Sequence, residues 1–228
     1  MPLTLANAGR EDAVRIAEIH MAAFGSNAML LAQFPTTAVR DALKRCIQLK
    51  ALADIDDPNI TVLVVRDSDF ADISNTIELG ENEQASKHQA GGRVIAFAKW
   101  AHPVPTDEDY IEPSWIWPEG TNLDIIEDWT KKTEEAQAHA VGVAPCYHLT
   151  FIGTDPVYER RGAATMMTQW GIDQSKKYHV PAYLESTLEA APFYRKLGFS
   201  EVEKFSLSYK VDGSGVTEIY EEISFIYK

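Results

Sequence analysis

The run Thr154-Asp155-Pro156-Val157-Tyr158-Glu159-Arg160-Arg161-Gly162-Ala163-Ala164-Thr165 has the makings of an anion site. A strand runs into a tight turn, and small residues open a helix. The first turn of a helix carries backbone N–H groups with no partner inside the helix. Their dipoles converge on whatever stands in front, and an anion is the natural guest. Gly162, Ala163 and Ala164 lack bulk, so a diphosphate could reach the amides. Arg160 and Arg161 place two cations at the end that the helix dipole makes positive, which a bound anion would explain. An ordinary strand–turn–helix would also look like this. The dinucleotide pattern Gly-x-Gly-x-x-Gly does not occur, and no Gly-Lys-Ser or Gly-Lys-Thr follows the turn.

With Phe193-Tyr194-Arg195-Lys196-Leu197-Gly198-Phe199 further on, this segment resembles the GNAT superfamily of acyl-CoA N-acyltransferases, and in particular its fungal members. In that family a Gln/Arg-x-x-Gly-x-Gly/Ala turn cradles the coenzyme A pyrophosphate and a Tyr-x-x-x-Gly-Phe segment follows. Gly162 and Ala164 match the small positions. Glu159 stands where the family usually has Gln or Arg, a departure that leaves the amide cradle intact. The motifs cover residues 148–200.

The resemblance implies acetyl-CoA as donor; no metal is expected, because neither cysteine has a metal-ligand spacing around it. The same resemblance puts the pyrophosphate on the amides of Arg160, Arg161, Gly162, Ala163, Ala164 and Thr165. The pantetheine arm would lie along the preceding strand near Ile152, Gly153 and Thr154. Gly153 fits this independently, because glycine within a strand often marks a bulge or a close backbone approach; a simple kink is the plain alternative.

Acyl transfer to an amine needs a neutral nucleophile, a stabilised oxyanion and a proton for the departing thiolate. Tyr194 resembles the family tyrosine that protonates the sulfur. A phenol pKa of about 10 lies near enough to a thiol's, about 8.5, for the transfer. As a packing aromatic, Tyr194 would have no such role. Glu185, at the end of Ala182-Tyr183-Leu184-Glu185, is the first candidate for the base, directly or through water. His148 is the second by its intrinsic pKa, and His102 the third. Thr187 could hold a water or the coenzyme. The plain alternatives are an exposed strand-end glutamate for Glu185 and a satisfied structural histidine for His148, the commoner role of a lone histidine on a strand.

These residues need a frame. The spacing predicts a helix over Glu11–Phe24 stopped by Gly25-Ser26-Asn27, and a second over Thr37–Ala53. Ile60–Val65 reads as a buried strand and Arg93–Trp100 as its antiparallel partner. The polar run 67–91 between them reads as a long exposed connection. Residues 102–145 carry Pro103, Pro105, Pro113, Pro118 and Pro145 with Trp115, Trp117 and Trp129, and a helix over Asn122–His139. The tryptophans either pack this excursion or wall an acceptor pocket. Then follow strand Tyr147–Thr154, helix Ala163–Tyr178, strand Ala182–Ser186, helix Ala190–Leu197 ended by Gly198, and strands Phe199–Tyr209 and Glu221–Tyr227 joined through Asp212-Gly213-Ser214-Gly215. This order predicts an α/β fold, one mixed, mostly antiparallel sheet with helices on both faces. The expectation is a single GNAT domain over 1–228, with insertions at 67–91 and 102–145. The second insertion resembles an excursion common in fungal members.

The chain has 228 residues, 45% of them hydrophobic, enough for a substantial core. With 21 basic and 34 acidic residues the formal charge is −13. That disfavours nucleic acid, whose phosphates need clustered Lys and Arg. It suits a cationic amine, although acidity also serves solubility. No apolar run reaches the roughly 18 residues of a membrane span. Met1-Pro2-Leu3-Thr4 lacks a signal pattern, and a cytoplasmic protein is expected. Cys46 and Cys146 make neither a disulfide framework nor a metal spacing.

The expected function is acetyl-CoA-dependent N-acetyl transfer to a small-molecule primary amine. Acetylation of protein lysines or N-termini is the alternative enzyme reading. A non-catalytic coenzyme A-binding module is the alternative from another class.

Overall fold

A computed structural model describes residues 3–69, 92–105, 109–210 and 216–228. Seven strands form one sheet: β1 (Leu3–Asn7), β2 (Ile60–Asp67), β3 (Arg93–Ala101), β4 (Tyr147–Thr154), β5 (Ala182–Thr187), β6 (Ser200–Lys210) and β7 (Thr217–Tyr227). Their order is β1-β2-β3-β4-β5-β7-β6. Every neighbouring pair is antiparallel except β4 and β5, which run parallel. The helices are α1 (Ala13–Phe24), α2 (Ala28–Gln33), α3 (Thr37–Asp56), α4 (Leu123–Val141), α5 (Ala163–Tyr178) and α6 (Ala191–Lys196).

Alternation along β2 shows how the two faces are covered. Leu63 and Val65 point into a core shared with Ala163, Met167 and Ile172 of α5 and with Ala191 and Tyr194 of α6. Val62 and Val64 point the other way, against Ala13, Ile16 and Ile19 of α1 and Ala51 of α3. α4 lies on this second side, over β6 and β7, where Ile125 packs with Met29 and Tyr209. The α/β class and the mixed, mostly antiparallel sheet are as the sequence implied.

One contact fixes the helix that matters most. Trp100 of β3 is fully buried and donates its indole N–H to the Met167 carbonyl at 3.2 Å. Gly171 of α5 lies against its ring, and a β-carbon there would sit 2.2 Å from the ring atoms. Glycine at this position therefore sets how closely α5, and the turn before it, press on the sheet.

Two elements were not read from the sequence. β1 pairs with β2 from Leu3↔Asp67 to Asn7↔Leu63. α2 starts straight after Asn27, so that residue is both the end of one helix signal and the start of another. Its side chain accepts from the amides of Met29 and Leu30 at 2.9 and 3.2 Å, an N-cap. Of the expected 67–91 connection, residues 70–91 lie outside the described residues, as does 211–215 of the last turn. Residues 109–122 follow no regular element and lead into α4.

Candidate active site

β4 and β5 pair over three residues only, Tyr147↔Ala182, His148↔Tyr183 and Leu149↔Leu184. Beyond Leu149 the strands part. Ile152, Gly153 and Thr154 go on pairing with β3, while Glu185, Ser186 and Thr187 go on pairing with β7. The sheet is split at its centre. A cleft of about 440 Å³ opens there, lined on one side by Thr150, Phe151 and Ile152 and on the other by Glu185, Ser186 and Thr187. Gly153 leaves no room for a side chain, since a β-carbon would lie 2.9 Å from the Phe97 ring.

At the far end of β4 stands the turn. Asp155 accepts from the Val157 amide at 3.1 Å and pairs with Arg15 of α1, which also donates to the Val94 carbonyl at 3.0 Å. The chain then takes two left-handed residues, Arg160 at φ 61° and Gly162 at φ 94°. The first internal hydrogen bond of α5 runs from the Met166 amide to the Gly162 carbonyl, 3.1 Å. No side chain caps the helix. The amides of Ala163, Ala164 and Thr165 therefore have no acceptor inside the helix, the arrangement that receives anions. A β-carbon on Gly162 would meet nothing within 4 Å. Its glycine answers to the backbone angle and to the space in front of the amides.

The two arginines separate. Arg161 pairs with the buried Asp67 at 2.5 Å, so its charge is met inside the protein. A bound anion would account for both cations, but Asp67 at the end of β2 already accounts for Arg161. Arg160 is exposed and has no ion-pair partner among the described residues.

Three base candidates were ranked in the sequence, and the structure brings the first two together. Glu185 accepts from or donates to His148 Nε2 at 2.8 Å, with side-chain exposures of 12% and 20%. Glu185 lines the cleft and His148 stands behind it, edge-on to the buried ring of Tyr183. The other oxygen of Glu185, Oε1, is buried with no hydrogen-bond partner among the described residues. Glu185 is thus not the exposed strand-end glutamate that the sequence also allowed. His102 lies elsewhere, bonded to Thr61 at 2.7 Å, and burial lowers its pKa.

Tyr194 of α6 reaches the cleft from the α5 side of the sheet, its ring among Phe193, Phe199 and Phe225. Burial raises its pKa well above the ordinary phenol value used in the sequence argument, and Glu222 adds to the rise. Burial also raises a thiol, so a sulfur beside it would move in the same direction.

The other half of the cleft is aromatic. Trp115 and Trp117 stack with centroids 4.6 Å apart and planes 5° from parallel. Trp117 also meets Phe34, just past the end of α2, and Trp129 of α4 meets Tyr220 of β7. All five line the cleft, so the tryptophans both pack the excursion and wall the cavity. The irregular run is tied down by Glu112, which pairs with Lys50 at 2.8 Å and with Lys99. Those lysines share the buried Asp54.

Three lining residues escaped the sequence reading. His20 of α1 is packed against Phe24 and Phe151, and burial lowers its pKa to about 4. Tyr220 donates to Glu222 at 2.8 Å and accepts from Asn27 Nδ2 at 3.0 Å. Glu222 has its pKa raised to about 7 by burial, against the pull of the Tyr220 hydrogen bond. The helical spacing of α1 placed His20 on its buried face, but nothing in the spacing marked Glu222.

Among the described residues no three His, Cys, Asp or Glu side chains gather as metal ligands, and no helix is long and apolar enough to cross a membrane.

Comparison with known proteins agrees with this architecture. The chain is 41% identical over 46 residues to a curated protein of Ajellomyces capsulatus named Probable acyltransferase SID5. That stretch is 20% of the chain and spans about a third, 34%, of the relative. A solved structure from Corynebacterium glutamicum, described as histone acetyltransferase HPA2 and related acetyltransferase, superposes with a TM-score of 0.60 at 18% identity, covering 99% of this chain and 96% of that one. The polyamine N-acetyltransferase of Drosophila melanogaster, described as forming N-acetylagmatine, superposes with a TM-score of 0.56 at 13% identity, covering 99% of both chains. Residues 88–199, a span that includes β3, β4, α5, β5 and α6, match the model of the Acetyltransferase (GNAT) family.

Proposed function

We propose that this protein is an acetyl-CoA-dependent N-acetyltransferase acting on the primary amine of a small molecule. The observation that carries the reading is the split between β4 and β5. It runs from the anion-ready amides of α5 at one end to an aromatic-lined cleft, open on one side, that holds Glu185 and Tyr194 at the other.

In this reading the pyrophosphate lies on the amides of Arg160, Arg161, Gly162, Ala163, Ala164 and Thr165, with the Arg160 side chain free to meet its charge. The pantetheine arm lies along Ile152, Gly153 and Thr154, whose β5 side is left unpaired by the split. The thioester then stands between Glu185 and Tyr194. Glu185 accepts a proton from the attacking nitrogen, directly or through water, while its Oε1 is buried on the side of the Tyr183 hydroxyl. His148 holds the carboxylate in place through its other oxygen. Tyr194 gives its proton to the leaving sulfur. A cleft with Trp115, Trp117 and Trp129 folded over it favours a small acceptor above an extended peptide. The Drosophila neighbour named for polyamine acetylation is consistent with an amine acceptor. The unpaired Cys46 and Cys146 suit a reducing compartment such as the cytoplasm.

The test is thermal stability with acetyl-CoA, because a ligand of the native state stabilises it by mass action. Millimolar acetyl-CoA raises the melting temperature of the wild type. Gly162→Val loses that rise, since a branched residue resists a φ of 94° and fills the space before the amides. No rise in the wild type would refute the donor assignment.

A further inference from the structure

Each fully buried carboxylate among the described residues has a basic partner. Asp12 holds Arg66 at 2.7 Å, Asp54 holds Lys99 at 3.1 Å, Asp67 holds Arg161 at 2.5 Å, and Asp155 holds Arg15. In the cleft, Glu185 has His148. Glu222 departs from this pattern. It lies in the middle of β7 and lines the cleft, and its partner is the hydroxyl of Tyr220. Among the described residues no lysine or arginine lines the cleft. Glu222 is half-buried and has, among the described residues, no counter-ion such as the protein supplies to its buried acids, and it faces a cavity sized for a ligand.

Its position relative to Glu185 is set by the strand register. Glu185 lies opposite Ser224 and Glu222 opposite Thr187. The two residues are diagonal neighbours on one face, about 7–8 Å apart along the sheet. Acetylation of an alkylamine takes two protons from one nitrogen. The amine arrives as R–NH3+, and it must lose one proton before its lone pair is available. It must lose a second from the same nitrogen once the C–N bond has formed. One carboxylate does not hold both protons.

We propose that Glu222 is a catalytic residue that binds the acceptor's ammonium group and takes its first proton, and that the acceptor is accordingly an alkylamine, cationic at neutral pH, with an apolar body. This rests on the acetyltransferase reading above. Glu222 carboxylate and R–NH3+ give Glu222 carboxylic acid and R–NH2. The nitrogen lone pair then forms the bond to the thioester carbonyl, and Glu185 takes the second proton. The C–S bond breaks, and the thiolate takes the proton of Tyr194. The tyrosinate recovers a proton from the carboxyl groups, and the net proton leaves through the open side of the cleft.

The surroundings suit this role. Burial holds the Glu222 pKa at about 7, with Glu185 on β5 adding to it, so the carboxyl gains and releases a proton near neutrality. The other titratable groups lining the cleft do not compete. His20 on α1, lowered to about 4, stays neutral. Tyr194 on α6 and Tyr220 on β7 are raised, chiefly by burial, and stay protonated. Glu203 on β6 and His139 on α4 pair with each other at 2.9 Å outside the cleft. Asn27, through Tyr220, holds Glu222 in place. Trp115, Trp117 and Trp129 receive the apolar body, and their faces also attract a cation.

The experiment compares phenethylamine, a cation at neutral pH, with aniline, which is neutral there, using acetyl-CoA as donor. Wild type transfers to phenethylamine, and Glu222→Gln lowers kcat/KM for it at pH 7 by about 10²-fold or more. The deficit narrows as the pH rises toward the pKa of the amine itself, and the loss with aniline is much smaller. Phenethylamine raises the melting temperature of the wild type at pH 7 and not that of Glu222→Gln. In Tyr220→Phe the removal of a hydrogen bond that favours the carboxylate moves the acidic limb of the phenethylamine profile to higher pH. Equal losses with both amines at every pH would make Glu222 structural and overturn the proposal. So would a wild type that is stabilised by acetyl-CoA yet fails with phenethylamine. A wild type that acetyl-CoA does not stabilise fails the donor assignment instead, and the two failures are distinguishable.

Discussion

Tyr194 has a position and no fixed partner. Its ring is locked among Phe193, Phe199 and Phe225, while its hydroxyl faces the cleft with no protein hydrogen bond among the described residues. If its work is to protonate sulfur, Tyr194→Phe keeps the packing and removes the proton. Turnover then falls by about 10²–10⁴-fold, while the melting temperature and its response to acetyl-CoA stay near wild type. Steady-state kinetics beside a thermal melt check this, and an unchanged rate would leave the tyrosine as a packing residue. How far single residues were legible depended on their neighbours. Tyr194 and Gly162 sit in motifs whose spacing is visible along the chain. Glu185 and His148 looked like rivals in the sequence because the parallel register that pairs them, His148↔Tyr183, is long-range. Glu222 was not legible at all. Glu218, Glu221 and Glu222 are alike in the sequence, and only strand register decides which one faces the cleft.

Elements with strong periodicity were read well, since burial of one face dictates the pattern. α5 runs over Ala163–Tyr178 and β4 over Tyr147–Thr154, the bounds that the spacing implied. Short elements were missed because they have too few residues to show a period. β1 has five residues and α2 six, and both are stabilised by what they pack against. The irregular run before α4 is held by long-range charge, which no local pattern records. Glu112 brings that run onto α3 and β3 through Lys50 and Lys99. The lysines pull its pKa down although burial pushes it up. Glu112→Gln leaves two lysines facing Asp54 alone. The Glu112 side chain is 40% exposed, so the loss of stability is about 1–2 kcal/mol, between an exposed and a buried pair. The larger effect falls on the Trp115–Trp117 wall that this run carries: KM for the acceptor rises, and acetyl-CoA affinity does not change. Titration of each substrate separately checks the division. A weakened acetyl-CoA response would mean that the run supports the whole cleft and not the aromatic half alone.

For the whole molecule, a formal charge of −13 makes stability sensitive to where carboxylates are left without partners. The protein resolves this for Asp12, Asp54, Asp67 and Asp155 with buried ion pairs, and leaves Glu222 unresolved inside the cleft. Its pKa is raised from 4.5 to about 7 in the folded chain. Between those values the folded protein binds more protons than the unfolded one, so stability falls as the pH rises through that window. Below pH 4.5 both states are protonated and the penalty is absent. Above pH 7 it is complete. A difference of that size corresponds to roughly 3 kcal/mol as an upper bound, since water in the cleft screens the charge. Glu222→Gln removes the ionisation and keeps the shape and the bond from Tyr220. The variant is therefore more stable than wild type at pH 8, by about 1–3 kcal/mol, and the gap closes as the pH is lowered toward 4.5. Urea unfolding at a series of pH values measures it. The gain in stability would accompany the loss of alkylamine acetylation, the exchange expected when a group is kept in an unfavourable state because its reaction needs it there. Equal stabilities of the two proteins at pH 8 would mean that Glu222 already ionises freely in the folded chain, with water reaching it as it does in the unfolded one.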